Sequence, residues 1–255
     1  MAALAHRIVN RLRLIRHKLV NRAGDWAFNR RSYAWMRRRR HVLCIGDSHI
    51  KAMENVHVPG VWFRVKMLGG ATASGVENPN SKTQSRSIFG AWLKRARPWH
   101  GVLVQLGEVD CGFVIWYRAE RHGISISEQL EMTLDSYAAF IESIGEMSFR
   151  RVTVLSAPLP TIGDSPTEWG EVANLRKAVT TKQVDRTNLT LEFNDRLRER
   201  CSAIGVEFVD VTSMQLDPLT GIVDRKLLRP TYHDHHLADE PYARLIADEL
   251  GKAWR

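Results

Sequence analysis

The sequence has few cysteines and no long apolar run. Its 255 residues include only Cys44, Cys111 and Cys201, and no two of them have a Cys-x-x-Cys spacing. An odd, scattered set of this kind argues against a disulfide framework and against a cysteine-rich zinc module. No stretch approaches the ~20 apolar residues that span a bilayer, and the N-terminus lacks the apolar core and cleavage site of a secretory signal. We therefore expect a cytoplasmic protein.

Acidic residues are almost absent from the first 40 positions. This segment contains twelve Lys or Arg and one acid, Asp25, so it has a formal charge of +11, whereas residues 41–255 have −2. Its apolar residues recur every three or four positions, which predicts a basic amphipathic helix; they are Ile8, Leu12, Ile15 and Leu19. Such a helix could pack on the rest of the protein or on a second subunit, lie on an anionic membrane, or hold a polyanion such as acyl-CoA. Nucleic acid is not an expected partner, because no recognised nucleic-acid-binding motif follows.

From residue 41 onward, short apolar runs alternate with longer amphipathic stretches. The short runs predict five strands, at Val42–Ile45, Val61–Val65, Val102–Leu106, Val152–Leu155 and Val206–Val211. Helical periodicity predicts helices at Ser87–Arg95, Ile126–Ile144, Leu189–Ala203 and Pro241–Trp254. Strands separated by helices form parallel sheets that are covered on both faces. We expect an α/β fold, a three-layer α/β/α sandwich with a parallel five-stranded, flavodoxin-like sheet over residues 41–255, and a basic helical extension over residues 1–40.

Polar or glycine-containing segments follow the predicted strands. The first strand leads into Ser48, and the next three lead into Gly69-Gly70, residues 107–110 and residues 158–164, while residues 233–236 precede the last helix. Because open parallel sheets bind ligands at the carboxyl ends of their strands, we expect these segments to surround one site. A metal site made of residues 233–236 alone is not expected, since adjacent residues rarely present all their side chains to one ion.

Four short blocks occur along the chain in a fixed order: "IGDSH", "GGATASG", "LGEVD" and "HDHHL". Together they resemble the sequence blocks of the SGNH (GDSL-type) hydrolase superfamily. The resemblance implies the SGNH-hydrolase fold, with Ser48 as the nucleophile and His236 as its base. An imidazole activates a serine hydroxyl by removing its proton, and a nearby carboxylate orients the imidazole, a role for which Asp234 is the candidate.

The last block departs from the family pattern. The family has its acid three residues before the histidine, and this chain has His233 there. Three arrangements are therefore open. Asp234 serves from two residues before His236, or His235 is the base, or the site works as a dyad without an acid.

The third block departs as well, because Val109 stands where the family has an oxyanion-hole asparagine. Valine donates no hydrogen bond, and losing one such donor typically costs ~100-fold to 1,000-fold in turnover. The backbone N–H groups of Ser48 and Gly70 are candidate donors. The side chains that could compensate are Gln105, His49 and Thr72.

Three carboxylates accompany these blocks, namely Asp47, Glu108 and Asp110. We assign them, with Gly70, to the oxyanion and substrate-binding region. For Glu108 and Asp110 the alternative is a structural role, in which they brace or cap the loop that follows the third strand.

The stretch "LGEVDCGFVIWYRAE" resembles a subgroup of the superfamily that is found with bacterial polysaccharide and glycolipid assembly. This resemblance implies a serine O-acyltransferase without a cofactor. It would move a medium-chain group such as octanoyl from acyl-CoA to a sugar hydroxyl of a carbohydrate acceptor such as diglucosylglycerate. The alternatives are a carbohydrate or lipid esterase and a catalytically weak binding protein.

Overall fold

Five strands form one parallel sheet with the order β2-β1-β3-β4-β5. The structure is a computed structural model, and it describes residues 20–28, 40–98, 100–164, 181–230 and 236–254. The strands are β1 (Arg40–Gly46), β2 (Val61–Met67), β3 (Gly101–Gln105), β4 (Arg151–Leu155) and β5 (Glu207–Val209). All five lie where the sequence predicts a strand, and β5 is shorter than its apolar run.

Five of the helices flank this sheet. They are α1 (Ser85–Leu93), α2 (Ile115–His122), α3 (Ile126–Gly145), α4 (Gln183–Ala203) and α5 (Asp239–Ala253). Of these, α2 was not predicted from the sequence, and α4 begins at Gln183 rather than Leu189. The predicted start of α3 at Ile126 is confirmed. The structure also shows a capping box there, in which the Ser125 hydroxyl accepts a hydrogen bond from the Glu128 N–H at 3.1 Å. A 3₁₀ helix, Ser48–Glu54, and a π-helical turn, Asp110–Val114, lie at the ends of β1 and β3.

The two faces of the sheet support two separate cores. Alternate residues of a strand point to opposite faces. Accordingly, Leu43 and Ile45 of β1 pack with residues of α1, α3 and α4, whereas Val42 and Cys44 pack with α5 and the 3₁₀ helix. The predicted three-layer α/β/α sandwich is confirmed. All three cysteines are buried and free.

Residues 20–28 are helical and pack against β2. The Asp25 carboxylate accepts hydrogen bonds from the Arg64 guanidinium at 3.2 Å and the Lys66 ammonium at 2.9 Å. Phe28 is buried, with its ring 5.2 Å from the His41 ring and 4.5 Å from the His100 ring, centroid to centroid. Burial lowers the pKa of His100 to about 4, so this ring is neutral at neutral pH and suits an aromatic contact.

The predicted apolar stripe of Ile8, Leu12, Ile15 and Leu19 lies outside the described residues. The division of the chain into residues 1–40 and 41–255 stays a prediction. Within the described residues, no helix has both the length and the apolar character needed to cross a membrane.

The last residue of β1 must be a glycine, and this can be tested. A Cβ built on Gly46 would lie 2.2 Å from the backbone oxygen of Gln105 on β3. We expect Gly46→Ala to lower the free energy of unfolding by at least about 2 kcal/mol, because the two strands must separate to admit a methyl group. Urea denaturation measures this value.

Gly90→Ala is the matched control. A Cβ at Gly90, inside α1, meets no atom within 4 Å. This variant should gain about 0.5–1 kcal/mol from the higher helix propensity of alanine. Equal stability of the two alanine variants would contradict the close approach of β1 to β3.

Candidate active site

Ser48 lies at the carboxyl end of the central part of the sheet. The strand β1 ends at Gly46, Asp47 is the N-cap of the 3₁₀ helix, and Ser48 is the first residue of that helix. The cap forms because the Asp47 carboxylate accepts a hydrogen bond from the His49 N–H at 2.8 Å. Asp47 is fully buried while Ser48 is partly exposed, so this turn directs the carboxylate inward and leaves the serine near the surface.

His49 brings the first, third and last sequence blocks together. Its Nδ1 lies 3.2 Å from Oδ1 of Asp47 and 3.9 Å from Oε2 of Glu108, and all three side chains are buried. The His49 ring is also 4.9 Å from the ring of His236, centroid to centroid. An ionised carboxylate can only accept a hydrogen bond, so the contact with Asp47 favours the tautomer with hydrogen on Nδ1. Four of the titratable groups expected at one edge of the sheet therefore meet there.

Asp110 joins the glycine block to the third block. Its carboxylate accepts hydrogen bonds from the backbone N–H groups of Ala73 at 2.7 Å and Ser74 at 3.0 Å. Complete burial raises the pKa of Asp110 to about 6, an increase that the hydrogen bonds from Ser74 and Ala73 and the positive charge of Arg118 only partly offset. The contacts of this carboxylate favour the bracing role.

One of the three side chains considered as oxyanion donors is directed elsewhere. The Gln105 amide donates to the Ser156 carbonyl at 2.9 Å and to the Tyr242 hydroxyl at 2.8 Å, so both of its N–H groups point into the protein. The hydroxyl of Thr72 lies against Gly75, 2.5 Å from where a Cβ of that residue would stand.

Gly70 is exposed and has a φ of +73°, a conformation that glycine adopts without strain. The backbone N–H groups of Ser48 and Gly70 remain candidate donors, whereas the Gln105 amide does not.

Part of the last block lies outside the described residues. His233, Asp234 and His235 belong to the segment 231–235, so the choice between His235 and His236 as the base stays a prediction, as does the role of Asp234. His236 is described and lies beside His49. The sequence analysis considered His49 only as a donor and did not anticipate its contacts with Asp47 and Glu108, because nothing in the linear spacing shows which loop residues turn inward.

Comparisons with known proteins agree on the fold. No family model and no curated protein matches this sequence. A GDSL-like lipase from Bacteroides thetaiotaomicron superimposes with a TM-score of 0.55 at 13% identity, over 84% of this chain and 87% of that chain.

A protein from Slackia heliotrinireducens described as an SGNH hydrolase superimposes with a TM-score of 0.50 at 15% identity, over 85% of this chain and 100% of that one. A protein from Bacteroides fragilis described as an acylhydrolase gives 0.50 at 15% identity, over 84% and 86%. The chain thus has the α/β fold of SGNH/GDSL hydrolases, as the sequence predicts.

The raised pKa of Asp110 predicts a pH dependence of stability. Between about pH 4, where an unfolded aspartate titrates, and about pH 6, the folded state binds more protons than the unfolded state. The contribution of Asp110 to the free energy of unfolding should therefore fall by about 3 kcal/mol as the pH rises through this window. Asp110→Asn should remove that decline, as measured by urea denaturation at successive pH values.

The exposed Asp248→Asn on α5 is the control and should keep the pH profile of the unmodified protein. A profile for Asp110→Asn that parallels the control would mean that Asp110 stays ionised in the folded protein at pH 4 to 6.

Proposed function

We propose that this protein is a serine-dependent O-acyltransferase that moves an acyl group from acyl-CoA to a sugar hydroxyl through an acyl-enzyme at Ser48. The observation that supports this most directly is the placement of Ser48 at the carboxyl end of β1, with the His236 ring against the adjacent His49. A partly exposed serine at the ligand-binding edge of a parallel sheet, with two histidine rings at the same edge, supplies the residue types that nucleophilic acyl transfer needs.

In the proposed reaction, the Ser48 hydroxyl oxygen attacks the thioester carbonyl while His236 takes the hydroxyl proton. The tetrahedral intermediate collapses with cleavage of the carbon–sulfur bond, and the proton passes from His236 to the departing CoA thiolate. The sugar hydroxyl then attacks the acyl-enzyme, again losing its proton to His236. The bond between the acyl carbon and the Ser48 oxygen breaks, His236 returns the proton to that oxygen, and the sugar ester leaves with Ser48 and His236 regenerated. His49, held by Asp47, acts as a positioning residue for His236 in this scheme.

The acceptor is proposed to be a glycoside such as diglucosylglycerate. The support is the resemblance of "LGEVDCGFVIWYRAE" to the mycobacterial diglucosylglycerate octanoyltransferase. Within this stretch, the rings of Phe113 and Tyr117 stack with centroids 5.6 Å apart, and both are at least partly exposed. Aromatic faces beside a polar edge suit a sugar ring or an acyl chain. Trp116, in contrast, donates to the Cys111 carbonyl at 2.8 Å, which favours a structural role.

A carbohydrate or lipid esterase is the second candidate, because the same acyl-enzyme is hydrolysed when water replaces the sugar hydroxyl. The names of the structural neighbours, which include a lipase and an acylhydrolase, fit this alternative equally well. A catalytically weak binding protein is the third candidate, since Val109 removes one expected donor.

Intact-mass spectrometry with octanoyl-CoA tests the proposal. We expect the mass of one octanoyl group on the protein, no such gain in Ser48→Ala, and an unchanged gain in Ser202→Ala, where an exposed serine of α4 is removed. Adding diglucosylglycerate should discharge the acyl group faster than buffer does.

Each other outcome points to a different function. Discharge at the same rate with and without a sugar acceptor supports the esterase. A protein that is never acylated, and that also fails to react with fluorophosphonate probes and simple esters, contradicts both enzymes and leaves the binding protein.

Val109→Asn tests the oxyanion site. If the side chain at this position faces the oxyanion, the new amide should increase the rate of acyl-enzyme formation by about 10-fold to 100-fold, because it adds a donor that the unmodified chain lacks. Stopped-flow measurement of CoA release gives this rate. Val109→Leu, which adds no donor, should not increase it. Equal rates for the two variants would place Val109 away from the developing charge.

A further inference from the structure

A cavity of about 150 Å³ lies at the amino ends of β1, β3 and β4, on the edge of the sheet opposite Ser48. At ~3.3 Å per residue, the seven residues of β1 separate this cavity from the turn that carries Ser48 by about 20 Å. A cavity of this volume has room for a group the size of benzene, so it suits a small ligand group. Its lining includes three arginines, a threonine and a tryptophan, namely Arg40, Arg150, Arg151, Thr153 and Trp254.

The charges around this cavity do not balance. Within the described part of the chain, the three arginines make one ion pair, in which Nη1 of Arg151 lies 3.9 Å from Oε1 of Glu207. Three arginines and one glutamate give the cavity an excess of two positive charges. An excess of this size on a concave surface attracts anions and raises their local concentration.

Two of the arginines are held in place by Trp254, which follows the end of α5. Arg40 donates a hydrogen bond to the Trp254 carbonyl at 2.6 Å, and the Arg151 guanidinium lies over the indole ring, 5.7 Å from its centroid. Glu207 accepts hydrogen bonds from the Thr153 hydroxyl at 2.7 Å and from the Trp254 indole N–H at 2.8 Å. Each guanidinium has five N–H donors, so Arg40 and Arg151 keep donors for a ligand after these contacts.

Arg150 is the arginine with the most donors left. Its backbone N–H donates to the Pro98 carbonyl at 2.8 Å and to the His100 carbonyl at 3.1 Å, so its main chain is fixed beside the sheet. Its side chain is exposed, and within the described residues its guanidinium makes no hydrogen bond and no ion pair. All five of its N–H groups are therefore available to an anion.

We propose that this cavity binds the phosphate group of a small phosphorylated molecule. A phosphate monoester has a charge of about −1.5 to −2 at pH 7 and three acceptor oxygens, which match the excess charge and the guanidinium donors. A carboxylate would compensate only one of the two charges. The cavity lies at the other end of β1 from Ser48, so it is separate from the proposed acyl-transfer site, and the inference does not depend on that function.

Isothermal titration calorimetry of the full chain at constant ionic strength tests the proposal. The probes are inorganic phosphate and glucose 6-phosphate, and we expect saturable binding of one phosphate group per chain. Arg150→Ala and Arg151→Ala should each weaken binding by at least about tenfold, because each removes charge-assisted hydrogen bonds. Arg150→Lys keeps the charge but not the planar fork and should lose only about threefold.

Glu207→Gln gives a test of opposite sign. The glutamine keeps an oxygen acceptor for Thr153 and Trp254 and removes the negative charge that competes with the ligand. Phosphate should therefore bind about threefold more tightly to this variant.

Arg244→Ala is the matched control. The Arg244 side chain is 78% exposed in the first half of α5, away from Trp254, and this variant should bind phosphate as the unmodified protein does. Circular dichroism checks that every variant is folded. Tighter binding of glucose 6-phosphate than of inorganic phosphate would show that the rest of a small molecule is bound as well, whereas equal binding would assign the cavity to the phosphate group alone. The proposal is wrong if neither probe binds saturably, if Arg150→Ala and Arg151→Ala bind like the control, or if Glu207→Gln binds more weakly.

Discussion

The contact between β1 and β3 at Gly46 is the constraint on which the site depends. β1 lies between β2 and β3 and is buried on both faces from His41 to Gly46, so its position is set by packing on all sides. At Gly46 the carbonyl of Gln105 occupies the space of a side chain. The chain leaves the sheet there and turns at once into the 3₁₀ helix. Because the strand is tightly packed there, the turn that carries Ser48, the proposed nucleophile, starts from a fixed position.

Buried carboxylates complete the carboxyl edge of the sheet. Asp47, Glu108 and Asp110 are each at most 1% exposed, and burying a carboxylate is costly unless it accepts hydrogen bonds or meets a partner charge. Asp47 offsets part of this cost through Oδ1, which contacts the backbone N–H and the ring of His49, and Asp110 offsets it with two backbone N–H groups and a raised pKa. Asp47 and Asp110 therefore restrain the segments to which they bind, and Glu108 lies 3.9 Å from the His49 ring nitrogen. These restraints link the first, second and third sequence blocks.

The sequence predicts the layers of the fold well because burial follows local periodicity. The five strands are short apolar runs that contain β-branched residues, and apolar periodicity predicts the start of α3 at Ile126. The short helix α2 has no comparable signal. It follows a π-helical turn, its N-cap Val114 makes no side-chain hydrogen bond, and its end at Gly123 is set by a φ of +63°.

The residues of the candidate site also divide into those that a local sequence pattern places and those that it does not. The position of Ser48 at the end of β1 is predictable, because glycine, aspartate and serine follow an apolar strand. The inward direction of Asp47, the placement of Glu108 near His49 and the internal bonds of the Gln105 amide arise from contacts between distant segments. Linear spacing does not encode them. At Gln105 this matters for mechanism, since an amide that already donates twice to the protein has no N–H left for a substrate.

Charge in this protein is divided by position. Residues 1–40 have a formal charge of +11, whereas the body beyond residue 40 has −2. The two parts meet at Asp25, the one acid of the first 40 residues, because its carboxylate is held by Arg64 and Lys66 of β2. The described helix 20–28 is therefore fixed to the sheet through the single negative charge of the basic segment.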